Sequence, residues 1–187
     1  MKEYVITAIT NNAYEDHRLI KAIFQGNEKV LFVNNSGTYI VRTNVKPMLG
    51  EFTAKFNTTL REENDIAIVN NNDTLCVAVK FCPVTKASER NPKSFKLAKG
   101  NIGKNGFVIG DKDEAKNWLL YTLSNGGLTI DEANIVQTEC WDNGHGQKII
   151  VHNAVVIATV KDCSKATDLL VNGIGNEKHL GLGMLLL

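Results

Sequence analysis

Four side chains able to handle an anion and its protons lie close together near the N-terminus: Tyr14, His17, Arg18 and Lys21. On a helix turning about 100° per residue they share one arc, while Leu19, Ile20 and Ile23 share the opposite one. A phenol, an imidazole, a guanidinium and an ammonium on one face suit an anion on which a proton is moved. Histidine is the natural agent, because its ordinary pKa of about 6.5 lets it both take and give a proton near neutrality. A solvated helix face shows the same pattern, so this arc alone leaves both readings open.

The C-terminus carries a second feature. Gly173-Ile174-Gly175 and Gly181-Leu182-Gly183-Met184 flank Asn176-Glu177-Lys178-His179-Leu180. A dinucleotide or P-loop fingerprint places its glycines after a strand and at the opening of a helix. Here they follow a helix and precede a strand, which excludes both. One reading is a helix C-cap followed by a turn. The other brings the backbone N–H groups of Gly173, Gly175, Gly181 and Gly183 close to phosphate, with Lys178 and His179 as further phosphate contacts.

A third feature is the stretch 86–104, where Lys86, Arg90, Lys93, Lys96, Lys99 and Lys104 face Glu89 alone. Such a run is a solvated loop or a grip for a nucleic-acid backbone. The chain as a whole has 21 Lys and Arg against 20 Asp and Glu, a net charge of +1. That balance excludes strong non-specific binding to DNA and leaves room only for a local patch.

Metal chemistry is not expected. Cys76, Cys82, Cys140 and Cys163 form no C-x-x-C pair, and His145, His152 and His179 stand at no ligand spacing. Glu62-Glu63 and the acids of 111–114 read as loop or helix-start residues. No cofactor motif is present. No apolar run approaches the roughly 18–20 residues of a membrane span, and the thiols read as reduced, which places the protein in a cytoplasm.

The elements that must position these groups follow from pattern. Residues 4–9 read as a strand, and Asn11, Asn12 and Glu15 as the start of a helix over 13–25 that ends at Gly26. Strands follow at 29–33 and 39–43, then an ambiguous stretch over 45–60, then an alternating strand at 74–81 closed by Pro83. After the basic stretch come a short strand at 107–109, a helix over 111–125 and long strands at 128–139 and 148–160. A helix capped by Asp162 and a terminal strand at 183–187 complete the chain. At 187 residues with 43% hydrophobic content there is material for two small domains. The second half reads β-α-β-β-α-β and the first β-α-β-β, an ambiguous stretch, then β, an element order that predicts an α+β chain of two tandem ferredoxin-like (RRM-like) βαββαβ domains. The expected division is 1–85, a basic segment 86–104, and 105–187.

Taken together, the helix and the glycine-rich end resemble the CRISPR-associated endoribonucleases of the CasE family, from type I-E systems. Ala13-Tyr14-Glu15-Asp16-His17-Arg18 is similar to the family's Tyr-x-x-His helix start. Gly173-Ile174-Gly175 with Gly181-Leu182-Gly183-Met184-Leu185-Leu186 is similar to its C-terminal signature. The strand over 77–84 and the basic tract after it agree in order, with Cys82-Pro83 standing where the family has Asn-Pro. The resemblance implies cleavage of the repeat stem-loop of precursor CRISPR RNA without a metal ion. The 2′-hydroxyl attacks the adjacent phosphate, leaving a 2′,3′-cyclic phosphate and a 5′-hydroxyl, and the product stays bound within a Cascade complex beside other subunits.

On that resemblance His17 is the general acid or base and Tyr14 a positioning group, with Lys148 in the place of a catalytic lysine. Arg18 and Lys21 stabilise charge on the phosphorane, and Arg90, Lys93, Lys96 and Lys99 hold RNA. The turn over 141–148, which carries several cations in the family, offers only His145 and Lys148 here. A second reading is therefore an RNA-binding subunit of the same kind of complex that does not cut. A third is a small-molecule-binding ferredoxin-like protein whose glycines are structural.

Overall fold

The structure, a computed structural model, describes residues 1–26, 29–86, 106–142, 148–175 and 177–187, with 85, 86 and 106–108 described by their backbone alone. Strand β1 (Lys2–Thr7) leads to helix α1 (Ala13–Ile23), then β2 (Leu31–Asn35), β3 (Thr38–Thr43), a one-turn helix α2 (Glu51–Ala54) and β4 (Thr59–Asp65). Next come β5 (Thr74–Phe81), the short pair β6 (Val84–Lys86) and β7 (Gly106–Val108), and α3 (Lys112–Asn125). The long hairpin β8 (Leu128–Asp142) and β9 (Lys148–Val160), helix α4 (Cys163–Asn172), a 3-10 turn (Lys178–Leu180) and β10 (Leu185–Leu186) finish the chain.

The strands form two four-stranded sheets, ordered β2-β3-β1-β4 and β10-β5-β9-β8. Renumbered within each unit, these are one order read from opposite edges, with every pairing antiparallel. The chain thus has two tandem ferredoxin-like α+β domains, as the element order predicts.

Sheet membership differs from the expected division at residue 85. β5 hydrogen-bonds β9 on one side and β10 on the other, so it opens the second unit. The fourth strand of the first unit is β4, every residue of which is exposed. Thr-Leu-Arg-Glu-Glu-Asn-Asp has no buried face to alternate, and it is held by its ladder to β1 rather than by packing. The strand expected at 107–109 is instead half of the small β6–β7 ribbon.

Each sheet covers its own core. In the first, Leu19, Ile20 and Ile23 of α1 pack with Tyr4, Ile6, Phe24, Phe32, Tyr39 and Val41. In the second, Leu119 and Leu123 of α3 and Leu170 of α4 pack with Val77, Val79, Phe81, Val156 and Val160. Trp118 stacks on Phe81, ring centroids 5.7 Å apart and 8° from parallel. Arg42 on β3 ties the units together. It is buried, its Nε donates to Glu3 at 2.8 Å, and its Nη1 donates to the carbonyls of Leu170 (3.1 Å) and Leu185 (2.7 Å).

Candidate active site

Helix α1 begins where the sequence puts it. The Asn12 side chain accepts from the Glu15 N–H at 2.9 Å, and the Glu15 carboxylate accepts from the Asn11 N–H at 2.8 Å. Its orientation is set by Asp16, which sequence reasoning did not single out. This buried carboxylate accepts from Thr10 Oγ1 (2.5 Å), Tyr39 Oη (2.5 Å) and Asn34 Nδ2 (3.0 Å). Burial and the bond to Asp16 push the Tyr39 pKa well above its ordinary 10, so the phenol stays a donor. A buried acid on an otherwise apolar arc is the signal that could have found this network.

With the buried arc anchored, His17 faces a cavity of about 340 Å³ that it shares with Ile20, Lys21, Val30, Phe32, Lys178 and His179. The His17 and His179 rings meet edge to face, centroids 5.5 Å apart and 80° between planes. Glu177 Oε2 lies 3.6 Å from Nε2 of His179. Burial pushes the His17 pKa below 6.5, with the charges of Lys21 and His179 acting the same way and a bond to the His179 backbone acting against them. Burial likewise lowers that of Lys178. The cavity therefore holds a neutral imidazole among cations, an arrangement suited to an anion that gives up a proton.

The glycine-rich end brings Lys178 and His179 to α1. Gly173 (φ +64°) and Gly183 (φ +82°) let two backbone segments cross, Ile174 N–H donating to the Gly183 carbonyl at 2.8 Å. Gly183 N–H donates in turn to the Lys80 carbonyl on β5 at 2.6 Å. A Cβ on Gly181 would stand 2.9 Å from the Phe32 ring, which lines the cavity. The N–H groups of Gly173 and Gly181 donate to Leu169 and Lys178 carbonyls at 2.7 and 3.1 Å. Three of the four glycine N–H groups thus bond within the chain, and close backbone packing accounts for these residues.

The other candidates are placed differently. Arg18 lies 5.9 Å from the centroid of the exposed Tyr14 ring and 5.8 Å from that of Phe52 on α2, and neither Tyr14 nor Arg18 lines the His17 cavity. Lys148 is exposed and pairs with Asp142 at the far end of the β8–β9 hairpin. Asp142 and Trp141 line a second cavity of about 530 Å³ against Thr10, Asn12 and Asp16, so the hairpin end reaches the start of α1 without joining the His17 cavity. Arg90, Lys93, Lys96 and Lys99 lie outside the described residues. His152 is fully buried. Among the described residues no three His, Cys, Asp or Glu are grouped to hold a metal ion, the four cysteines are free, and no helix is long and apolar enough to cross a membrane.

The chain is similar over its whole length to solved CRISPR proteins. It matches Cas6e from Escherichia coli K-12 with a TM-score of 0.74 at 16% identity, covering 100% of this chain and 98% of that one. It matches Thermus thermophilus Cse3, bound to an RNA representing a pre-cleavage complex, with a TM-score of 0.77 at 17% identity, covering 100% and 98%. A chain of a CRISPR RNA-guided surveillance complex matches at 0.70 and 12% identity, covering 100% and 98%. No curated protein sequence matches. The family model described as CRISPR associated protein spans residues 3–187, and the chain belongs to that family.

Proposed function

We propose that this protein is the endoribonuclease that processes precursor CRISPR RNA, cutting within the repeat stem-loop and keeping the product as a subunit of a Cascade-type complex. The observation that carries the reading is His17, half-buried and held neutral beside Lys21, Lys178 and His179, in a chain that shares its full-length fold with a Cse3–RNA complex.

In the proposed reaction the 2′-oxygen forms a bond to phosphorus as its proton leaves. The P–O5′ bond breaks and the 5′-oxygen is protonated, giving a cyclic phosphate and a 5′-hydroxyl. His17 moves one of these protons. Lys21 and Lys178, which line the His17 cavity, stabilise charge on the phosphorane, and Arg18, outside that cavity, meets the RNA alongside it. Tyr14, one turn from His17 but outside its cavity, positions RNA, and Lys148, whose hairpin end also lies outside that cavity, would add its ammonium once RNA spans the two. The reaction as proposed uses side chains alone and needs no metal ion. Arg90, Lys93, Lys96 and Lys99 supply backbone contacts for the RNA, whose A-form stem is held largely by shape and phosphate.

The test is a denaturing gel of labelled repeat RNA from the host, incubated with protein in excess EDTA. The expected result is a single cut ending in a cyclic phosphate, abolished by a 2′-deoxy at the scissile nucleotide. His17→Ala is expected to slow cutting by roughly 10²–10⁴-fold while RNA still shifts on a native gel. Wild-type protein that shifts the RNA and never cuts it would overturn the enzyme reading and leave a binding subunit.

A further inference from the structure

We infer that His179 is a second proton-transfer group of this site, His17 taking the proton of the attacking 2′-hydroxyl and His179 delivering one to the departing 5′-oxygen. The inference rests on the endoribonuclease reading above and assigns to His179 a role beyond contact with phosphate.

Three observations carry it. Both imidazoles line one cavity, edge to face at 5.5 Å, close enough for one phosphate to meet both. Their surroundings differ in the sense the two roles require. His17 is half-buried on α1, next to Lys21, and its neutral form is favoured, as a base needs. His179 stands on the 3-10 turn with the carboxylate oxygen Oε2 of Glu177 3.6 Å from its Nε2, whereas the charge beside His17 is the Lys21 ammonium. Its side chain is 53% exposed, so an RNA entering the cavity reaches it without displacing the core. Finally, the 3-10 turn that carries His179 packs against α1 and β2, which fixes how the two imidazoles stand to each other.

The charges facing the pair are Lys21 from α1 and Lys178 and Glu177 from the C-terminal loop. The step balances on its own. The 2′-O–P bond forms as His17 accepts a proton, and the P–O5′ bond breaks as His179 donates one. A proton exchanged with water then restores both rings.

The test uses two forms of the repeat RNA, the natural one and one with sulfur in place of the bridging 5′-oxygen. A thiolate leaves without being protonated, so only loss of the acid is repaired by it. His179→Gln, a change at an exposed position, is expected to slow cutting of natural RNA by roughly 10²-fold or more at saturating enzyme. On the sulfur substrate it is expected to cut within about tenfold of wild type, while His17→Ala stays slow on both.

Wild-type rates from His179→Gln on natural RNA would overturn the inference, as would equal slowing on both substrates or a defect that vanishes at saturation. Rescue of His17→Ala instead would overturn the assignment of roles. Failure of the wild type to cut either RNA would sink the endoribonuclease reading itself, an outcome distinct from all of these.

Discussion

The carbonyl of Ile174 occupies the space where Gly183 would carry a Cβ, so the two strands of the C-terminal loop cross backbone against backbone. Gly183 also sits at φ +82°, a region L-residues enter at a cost of about 1–2 kcal/mol. Overlap with a backbone atom that cannot swing away adds about 1–3 kcal/mol. Gly183→Ala is therefore expected to lower Tm by about 5–15 °C for a chain of this size, and to reduce cutting because His179 loses its support. Gly175→Ala is the control. It has φ +73°, but its Cβ would meet Trp118 at 3.6 Å and the Cys82 carbonyl at 3.7 Å, ordinary contact distances, so only the backbone cost remains. Equal Tm values for the two variants would refute the crossing as the reason for Gly183.

Arg42 makes the corresponding link between the sheets. Its side chain is 6% exposed, and its removal leaves the carbonyls of Leu170 and Leu185 and the Glu3 carboxylate without their donor. Breaking a buried charged group of this kind costs about 3–5 kcal/mol. Arg42→Ala should lower the unfolding free energy from urea titration by that amount, and Arg42→Lys by less, since one ammonium keeps the charge but not the forked geometry. A change of under 1 kcal/mol in Arg42→Ala would show that the link carries no stability.

His152 makes stability depend on pH. It is fully buried, with Nε2 3.0 Å from the Ile109 carbonyl and Nδ1 3.0 Å from the Thr138 hydroxyl. Burial pushes its pKa below 6.5, the Ile109 bond and Asp111 opposing and Lys112 assisting. The unfolded chain takes this proton near 6.5 and the folded chain only at lower pH. Stability is thus complete above about 6.5 and falls as pH drops below it, by at most about 1.4 kcal/mol per pH unit for one proton, levelling off beneath the folded value. Urea midpoints should be lower at pH 5.5 than at 7.5. His152→Gln, whose amide can donate to Ile109 and accept from Thr138, should narrow that gap. The rest of the gap includes His17, shifted in the same direction. An unchanged gap in His152→Gln would remove His152 as a source.

Much of the local structure was legible because its causes are local. Asn12 and Asp162 cap α1 and α4 as their residue types suggest, accepting from Glu15 and Lys165 N–H groups. The alternation of β5 and β9 and the apolar side of α3 lie on the surface of the sequence for the same reason. The Tyr-x-x-His helix start and the spaced glycines, read in order, were enough to point to the family.

What the sequence could not settle were pairings between distant segments. β4 is polar throughout and is a strand only because β1 lies beside it. β5 reads as a strand in isolation, but only its ladders to β9 and β10 decide which domain owns it. The helical wheel placed Tyr14 and Arg18 with His17, yet the cavity takes His17 and Lys21 from α1 and leaves Arg18 between Tyr14 and Phe52. His179 reached His17 because Gly173, Gly181 and Gly183 let the C-terminal backbone lie against Leu31, Phe32 and Ile174. The sequence by itself determined which groups could move a proton and which helix presents one of them. Only the tertiary structure decided which second imidazole stands opposite, because that follows from close packing between residues far apart in the chain, which no local pattern encodes.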